Sequence, residues 1–199
     1  MKVKSLVLGL VAVAMFSCSK PSFDVNVELQ NAEGKMVYLQ KVVNNEIVVL
    51  DSVEIHDNKA NFIVENGNPA TRYSVKVDGL KYPIGFFSEN NKVAITGDLN
   101  DNSNIVVVAS NAQQLINEYN AENKKFNDKF NELRQKYRTA AQLKDQTAIE
   151  RIEDEYTQIE NNKNNYQTLF LTKNSNSFVA PYILYNNRYN YELTELEDF

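Results

Sequence analysis

From Phe23 onward, apolar and polar residues alternate. Phe23, Val25, Val27 and Leu29 are apolar, and Asp24, Asn26 and Glu28 between them are polar. A period of two puts the apolar set on one face of a half-buried strand. Asn31-Ala32-Glu33-Gly34 reads as a turn, Lys35 to Val43 as a second strand, and Asn44-Asn45 as another turn signal. Ile47 to Ile55 is a long β-branched run with Val49, Val53 and Ile55 at odd positions, broken by Asp57-Asn58. Ala60, Phe62 and Val64 alternate again, and so do Tyr73, Val75 and Val77 after the loop at Glu65 to Pro69. Asp78-Gly79 turns the chain. Tyr82 to Phe87 is apolar on both faces, which predicts a central strand; Val93 with Ile95, and then Ile105 to Val108, close the series. About eight short strands at roughly 8–12-residue spacing predict an antiparallel β-sandwich or a partly open barrel over residues 23–110.

Near Asn111 the period changes. Leu115, Tyr119, Phe126, Phe130, Leu133 and Tyr137 recur at helical spacing, as do Ile149, Ile152, Tyr156, Ile159, Tyr166 and Phe170. Lys163 fills a skipped position of the second stripe, where its aliphatic stem still covers apolar surface. The break falls at Lys144-Asp145-Gln146. Two helices of about seven turns, each roughly 40 Å long at ~1.5 Å per residue, fit this pattern. The short link favours an antiparallel helical hairpin over an intermolecular coiled coil. A third, short helix is expected through Tyr182, Ile183 and Tyr185, capped by Asn176 or Ser177, with Pro181 near its first turn and Asn186-Asn187 at its end. Thr194 with Glu197 has the form of a capping box, so Phe199 falls early in a candidate helix. The predicted class is α+β: a strand-built domain at 23–110 and a helical segment at 111–199.

Ahead of the strands, Lys2 and Lys4 precede Ser5 to Phe16, an almost unbroken apolar run. About 12 residues make a helix of roughly 18 Å, short of the ~30 Å hydrocarbon core of a bilayer. The run therefore reads as a signal segment, residues 1–17. Met15-Phe16-Ser17-Cys18 has the form of a bacterial lipobox, with a small residue just before the cysteine. Cys18 is then the acyl acceptor, for palmitate or a similar chain, and residues 18–22 form a lipidated tether. The alternative is an ordinary signal peptide with a chance cysteine. The expected location is the cell envelope. Ser19-Lys20-Pro21 carries no acidic sorting run, which leans toward an outer membrane with the protein facing the periplasm and leaves the inner membrane open.

Composition narrows the function. The chain is 43% hydrophobic and 24% charged, a globular balance, with a formal net charge of −5. Lys2 and Lys4 are the only charges of the leader, so the chain from Cys18 onward is more acidic still, with no compact basic cluster. Nucleic acid is not an expected partner, since phosphate contacts need cations gathered on one face. Cys18 is the only cysteine, so no internal disulfide forms, and an acylated Cys18 leaves no thiolate for a metal.

Candidate chemistry is sparse. His56, the only histidine, sits beside Asp57, but no Gly-x-Ser-x-Gly elbow accompanies it. A turn histidine is the simpler reading. Asp98 to Asn102 alternates oxygen ligands but lacks the glycine and distal glutamate of an EF-hand, and reads as a solvated turn. The glycines are isolated and build no phosphate loop. Asp51, Glu54 and Glu89 are the acids available for paired-carboxylate work. Tyr182, Tyr185, Tyr189 and Tyr191 cluster with Arg188, Asn186, Asn187 and Asn190. Such rings stack on a sugar or a peptide, or simply pack against the body; they are the candidate interaction surface. No catalytic residue, metal site or cofactor is predicted.

An ordered set of segments carries a family resemblance: Phe23-Asp24-Val25-Asn26-Val27, Gly34-Lys35-Met36-Val37-Tyr38-Leu39, Leu50-Asp51-Ser52-Val53, Lys59-Ala60-Asn61-Phe62, Pro69 to Tyr73, Phe86-Phe87-Ser88-Glu89 and Val93-Ala94-Ile95-Thr96-Gly97-Asp98. Over roughly residues 5–199 the chain resembles the uncharacterised N-terminal β domain of thioredoxin-like and peroxiredoxin-like lipoproteins of Bacteroidota. In that family a helical stretch, and a segment like Ser177 to Leu184, leads into a redox domain with Cys-x-x-Cys. This sequence holds no such pair, so the oxidoreductase activity does not transfer. The resemblance implies an accessory module that spaces, docks or recognises, with an envelope protein or a redox domain as partner. It is either a truncated product of a longer gene or a stand-alone relative that keeps only the accessory part. The alternative reading is a glycan- or peptide-binding lipoprotein.

Overall fold

In a computed structural model, residues 22–65, 71–89 and 92–190 are described. The leader, Cys18, the loop at Pro69, Tyr191 and the Thr194 to Glu197 box lie outside them. Eight strands precede three helices: β1 (Ser22–Gln30), β2 (Met36–Val43), β3 (Glu46–Glu54), β4 (Lys59–Glu65), β5 (Thr71–Val77), β6 (Ile84–Ser88), β7 (Val93–Asp98), β8 (Asp101–Val108), α1 (Asn111–Leu143), α2 (Gln146–Lys173) and α3 (Val179–Asn187). The fold is α+β, as the pattern predicts.

The strands form two four-stranded sheets, ordered β4-β1-β7-β8 and β3-β2-β5-β6, so the sandwich rather than the partly open barrel is realised. Every pair is antiparallel except β1 with β7, which run parallel from Val25 beside Val93 to Gln30 beside Asp98. The alternating residues meet inside. Phe23, Val25, Val27 and Leu29 of β1, Ala60, Phe62 and Val64 of β4, and Tyr73, Val75 and Val77 of β5 all belong to one buried core. Burying a large aliphatic or aromatic side chain stabilises by about 1.5–3 kcal/mol. Asparagine and aspartate make the tight turns. Asn44 and Asn45 (φ 51° and 65°), and Asp57 and Asn58 (φ 53° and 60°), are paired left-handed residues. That is the mirror-type turn whose twist suits a two-residue hairpin.

Two strands differ from the expectation. β6 is an edge strand, not a central one. Both its faces are apolar because Phe86 faces the sandwich core while Phe87 belongs to a second cluster with Ala112, Ile116, Tyr119, Leu171, Val179 and Ile183. Of the odd residues in the β3 run, Val53 packs against the core and Ile55, just past the strand, is buried, but Val49 is exposed. Between Leu39 opposite Asp51 and Gln40 opposite Val49 the register shifts, leaving Leu50 as an extra residue. Such a bulge moves later side chains to the other face. Ile47, Val48, Val49 and Leu50, on both faces of this edge strand, are exposed.

The helical segment is a hairpin, longer than predicted. α1 has 33 residues and α2 has 28, about 50 Å and 42 Å at ~1.5 Å per residue. Ser110 caps α1 by accepting from the Gln113 N–H, and Asp145 caps α2 by accepting from the Ala148 N–H. Left-handed Lys144 turns the chain between them and donates its backbone N–H to Ala140 and Ala141. The aromatic stripes interlock: Phe130 lies 4.7 Å from Tyr156, and Tyr119 lies 5.1 Å from Phe170. Lys163 places its ammonium 6.0 Å over the Phe130 ring, consistent with a lysine in the skipped position. α3 begins after Phe178, with the Val179 N–H donating to Ser177 Oγ. Among the described residues no helix is long and apolar enough to cross a membrane.

Candidate functional site

The sandwich and the helical hairpin meet along β6 and β8. The buried Gln113 side chain accepts from the Phe87 N–H at 2.9 Å and donates to Asn117 Oδ1 at 2.8 Å. Asn117 in turn donates to the Val107 carbonyl at 2.9 Å. Ser110 Oγ donates to the Phe87 carbonyl at 3.1 Å, and Glu89 accepts the Ala112 N–H at 3.3 Å. These bonds pair the backbone groups that the edges of β6 and β8 would otherwise leave open, which makes them a brace. Removing one partner strands a buried polar group at a cost of about 1–3 kcal/mol.

Beside this brace lies a half-open cleft of about 450 Å³ between Arg72, Phe87, Ile105, Asn117, Asn120 and Tyr182. Arg72 of β5 stands cross-strand from Phe87, and its guanidinium lies 5.0 Å from the centre of the Tyr182 ring. Tyr182 meets Phe87 edge to face at 5.3 Å. Gly85 leaves the space that Arg72 uses: a Cβ there would collide with the guanidinium. Among the described residues no carboxylate pairs with Arg72. A planar cation held against an aromatic face at the wall of a cleft is suited to an acidic group on a small ligand or peptide.

The structure divides the predicted tyrosines. Tyr182 turns inward to the cleft. Tyr185 and Tyr189 turn outward, 63% and 84% exposed, and clamp Arg188, whose guanidinium lies 4.4 Å and 4.3 Å from their ring centres. Arg188 also donates to the Tyr185 carbonyl and the Tyr189 hydroxyl. Asn186 and Asn187 return their amide N–H groups to the carbonyls of Tyr182 and Ile183. They therefore reinforce the helix instead of joining the rings of Tyr185 and Tyr189. Tyr191 lies outside the described residues.

The other candidates are dispersed. His56 is exposed in the turn it closes with Lys59, 3.8 Å from Glu33. Asp51 and Glu54 lie on β3 and Glu89 follows β6, the two opposite edges of one sheet. Three strand spacings, about 14 Å, separate those edges. Asp98 accepts from the Asn31 side chain and the Asn100 N–H, both at 2.9 Å, and these bonds hold its carboxyl below the usual range. Asp101 accepts from Ser103 and Asn104, so the 98–102 segment spends carboxylates on its own turn. Among the described residues no three His, Cys, Asp or Glu converge as a metal site. Deeper in the junction, burial pushes the Tyr119 phenol up, opposed by bonds from Asn123 and Asn187. Burial, then the charge of Glu122, raises Tyr166 as well.

Two features escape the sequence pattern. The cleft joins β5, β6, β8, α1 and α3, and no local motif announces it. The tip of the β2–β3 hairpin is the second. Val42, Ile47 and Val49 are 61%, 68% and 52% exposed, with Val43, Val48 and Leu50 exposed beside them. Its signal was legible in Val42 to Leu50, where apolar residues run consecutively on both sides of a turn and abandon alternation.

No family model and no curated protein matches the chain. Among solved structures, a non-hemolytic pneumolysin from Streptococcus pneumoniae strain ST306 is similar over 46% of this chain and 24% of its own, at 9% identity and a TM-score of 0.27. The chain thus spans about a quarter of that structure's length, and a similarity this slight carries no argument about fold or function.

Proposed function

We propose that this chain is a non-enzymatic, lipid-anchored module of the cell envelope, accessory to a thioredoxin-like lipoprotein architecture. Its role is to space, dock or recognise. The observation that carries the proposal is Cys18 at the end of the apolar run from Ser5 to Phe16, directly after Ser17. One acyl chain binds a membrane marginally, whereas two hold it stably. A lipidated Cys18 would thus fix the tether, most naturally on the periplasmic face of the outer membrane. The dispersal of His56, Asp51, Glu54 and Glu89 supports a non-catalytic role, since acid–base work needs its groups in hydrogen-bond reach of one substrate. The projecting helical hairpin, about 50 Å long, suits a spacer. A redox domain or another envelope protein is the proposed partner. Intact mass of the purified protein is expected to show a processed, acylated Cys18, and Cys18→Ala to abolish that mass. A free thiol on the wild-type chain would overturn the anchor.

A glycan- or peptide-binding role is the second reading, favoured by the outward rings of Tyr185 and Tyr189 around Arg188. Binding on a glycan or peptide array that disappears in Tyr185→Ala and Tyr189→Ala would select it over spacing alone.

A further inference from the structure

We propose that the tip of the β2–β3 hairpin sits in a lipid bilayer surface, the same one that holds Cys18, so that the module stands on the membrane at two points. The inference deepens the lipid-anchor reading and rests on it. Chain direction is the first support. β1 starts at Ser22, and β2 runs back across the other sheet to end at Val43. Phe23 and Tyr73 touch, with ring centres 5.3 Å apart, and Tyr73 is the cross-strand partner of Lys41. The start of β1 and the end of β2 therefore lie at the same end of the sandwich. Residues 18–21 span at most about 14 Å at ~3.5 Å per residue. An acylated Cys18 would keep that end close to the lipid.

The tip's construction is the second support. Beyond Lys41, β2 parts from β5 and pairs with β3 alone, down to Val43 opposite Glu46. Among the described residues no layer covers the two-stranded ribbon, on which Val42, Val43, Ile47, Val48, Val49 and Leu50 are exposed. The facing N–H and C=O groups of the ribbon are paired to each other, which entry into an apolar medium requires. Its free outer edge suits the hydrated headgroup zone, where interfacial elements sit about 5–10 Å deep. Lys41 and Glu46 offset each other, so the contact draws on apolar area and not on anionic headgroups. A second copy is disfavoured in two of its registers. Antiparallel β3–β3 pairing centred on Leu50, or between Val48 and Val49, sets Glu46 against Glu54 or Asp51, and like charges directly opposite repel.

The test uses full-length, processed protein carrying Ile47→Cys or Leu143→Cys, labelled with the environment-sensitive fluorophore NBD and bound to phosphatidylcholine vesicles. Leu143, 74% exposed at the far turn of the helical hairpin, is the control. Emission at position 47 is expected to rise and shift to shorter wavelength on entering lipid. It should be quenched by spin-labelled acyl chains, equally with or without phosphatidylglycerol. Position 143 should not respond. Label count by intact mass reads the anchor separately, because an acylated Cys18 takes no label. One label with a position-47 probe that stays in water overturns the membrane contact and keeps the anchor. Two labels remove the anchor, and the contact then has to show itself in Cys18→Ser with Ile47→Cys, where a probe that enters vesicles upholds it and an aqueous one overturns it. Equal responses at 47 and 143, or an aqueous probe with a doubled mass that assigns the tip to a second copy, also overturn it.

Discussion

The sandwich and the helical hairpin bury apolar residues in different ways. In the sandwich, two sheets close over a shared interior, and residues such as Val25, Leu29, Phe62, Phe86 and Ile95 lose essentially all contact with water. In the helical hairpin, beyond its base on β6, β8 and α3, α1 and α2 cover only each other along one seam. Between the junction and the far turn, Leu133, Ala140 and Ile159 are buried, while Tyr137 and Tyr156 stay partly wet. A two-helix seam has no third layer, so its distal half gains little from cooperative packing. The difference teaches where stability sits: the sandwich holds the fold, and the helical hairpin is a projection supported at its base.

That contrast can be broken most forcefully in the sandwich. Phe62→Ala is expected to cost about 3–5 kcal/mol. Chemical denaturation followed by circular dichroism should show the loss as one transition shared by strands and junction; a loss below about 1 kcal/mol would refute the ranking. Leu133→Ala should cost less, about 2 kcal/mol, and locally. Hydrogen exchange is expected to accelerate in the distal parts of α1 and α2 while the strand amides keep their protection, and uniform acceleration would show that the two regions unfold together. The smallest effect is a pH dependence at the junction. Tyr119 and Tyr166 have raised folded-state values, chiefly through burial. Their contribution is complete below the ordinary tyrosine range near pH ~10 and is lost as pH rises through the raised values, because there the unfolded chain holds fewer protons. Tyrosinate absorbance should therefore lag in the folded protein, and helix content should fall in the same alkaline window.

Much of the sandwich was legible because its strands obey a period of two with one wet face. Phe23 to Leu29 and Ala60 to Val64 lie inside as the alternation predicts. The helical break at Lys144 was equally plain, since both stripes end on either side of it. β6 misled because apolar residues on both faces describe any strand covered twice, whether by strands or by helices. β3 misled because its outer half lies at the sheet edge, where Ile47 to Leu50 stay exposed on both faces whatever their alternation. Among the candidate site residues, the aromatic cluster was visible as composition, but its division was not. Which ring turns toward Arg72 and which toward Arg188 depends on contacts between β5 and α3, about a hundred residues apart in the chain.

The parallel pairing of β1 with β7 has a consequence for how the chain reaches this state. β1 lies inside its sheet, and one of its two neighbours begins at Val93. A chain synthesised or threaded N-terminus first must therefore hold Val25 to Leu29 without their second partner until most of the sandwich has emerged. Closing so long a loop is slow compared with forming adjacent hairpins. The first strand of the sheet to appear is accordingly left half-paired until β7 arrives, while β4, its other neighbour, is already in place.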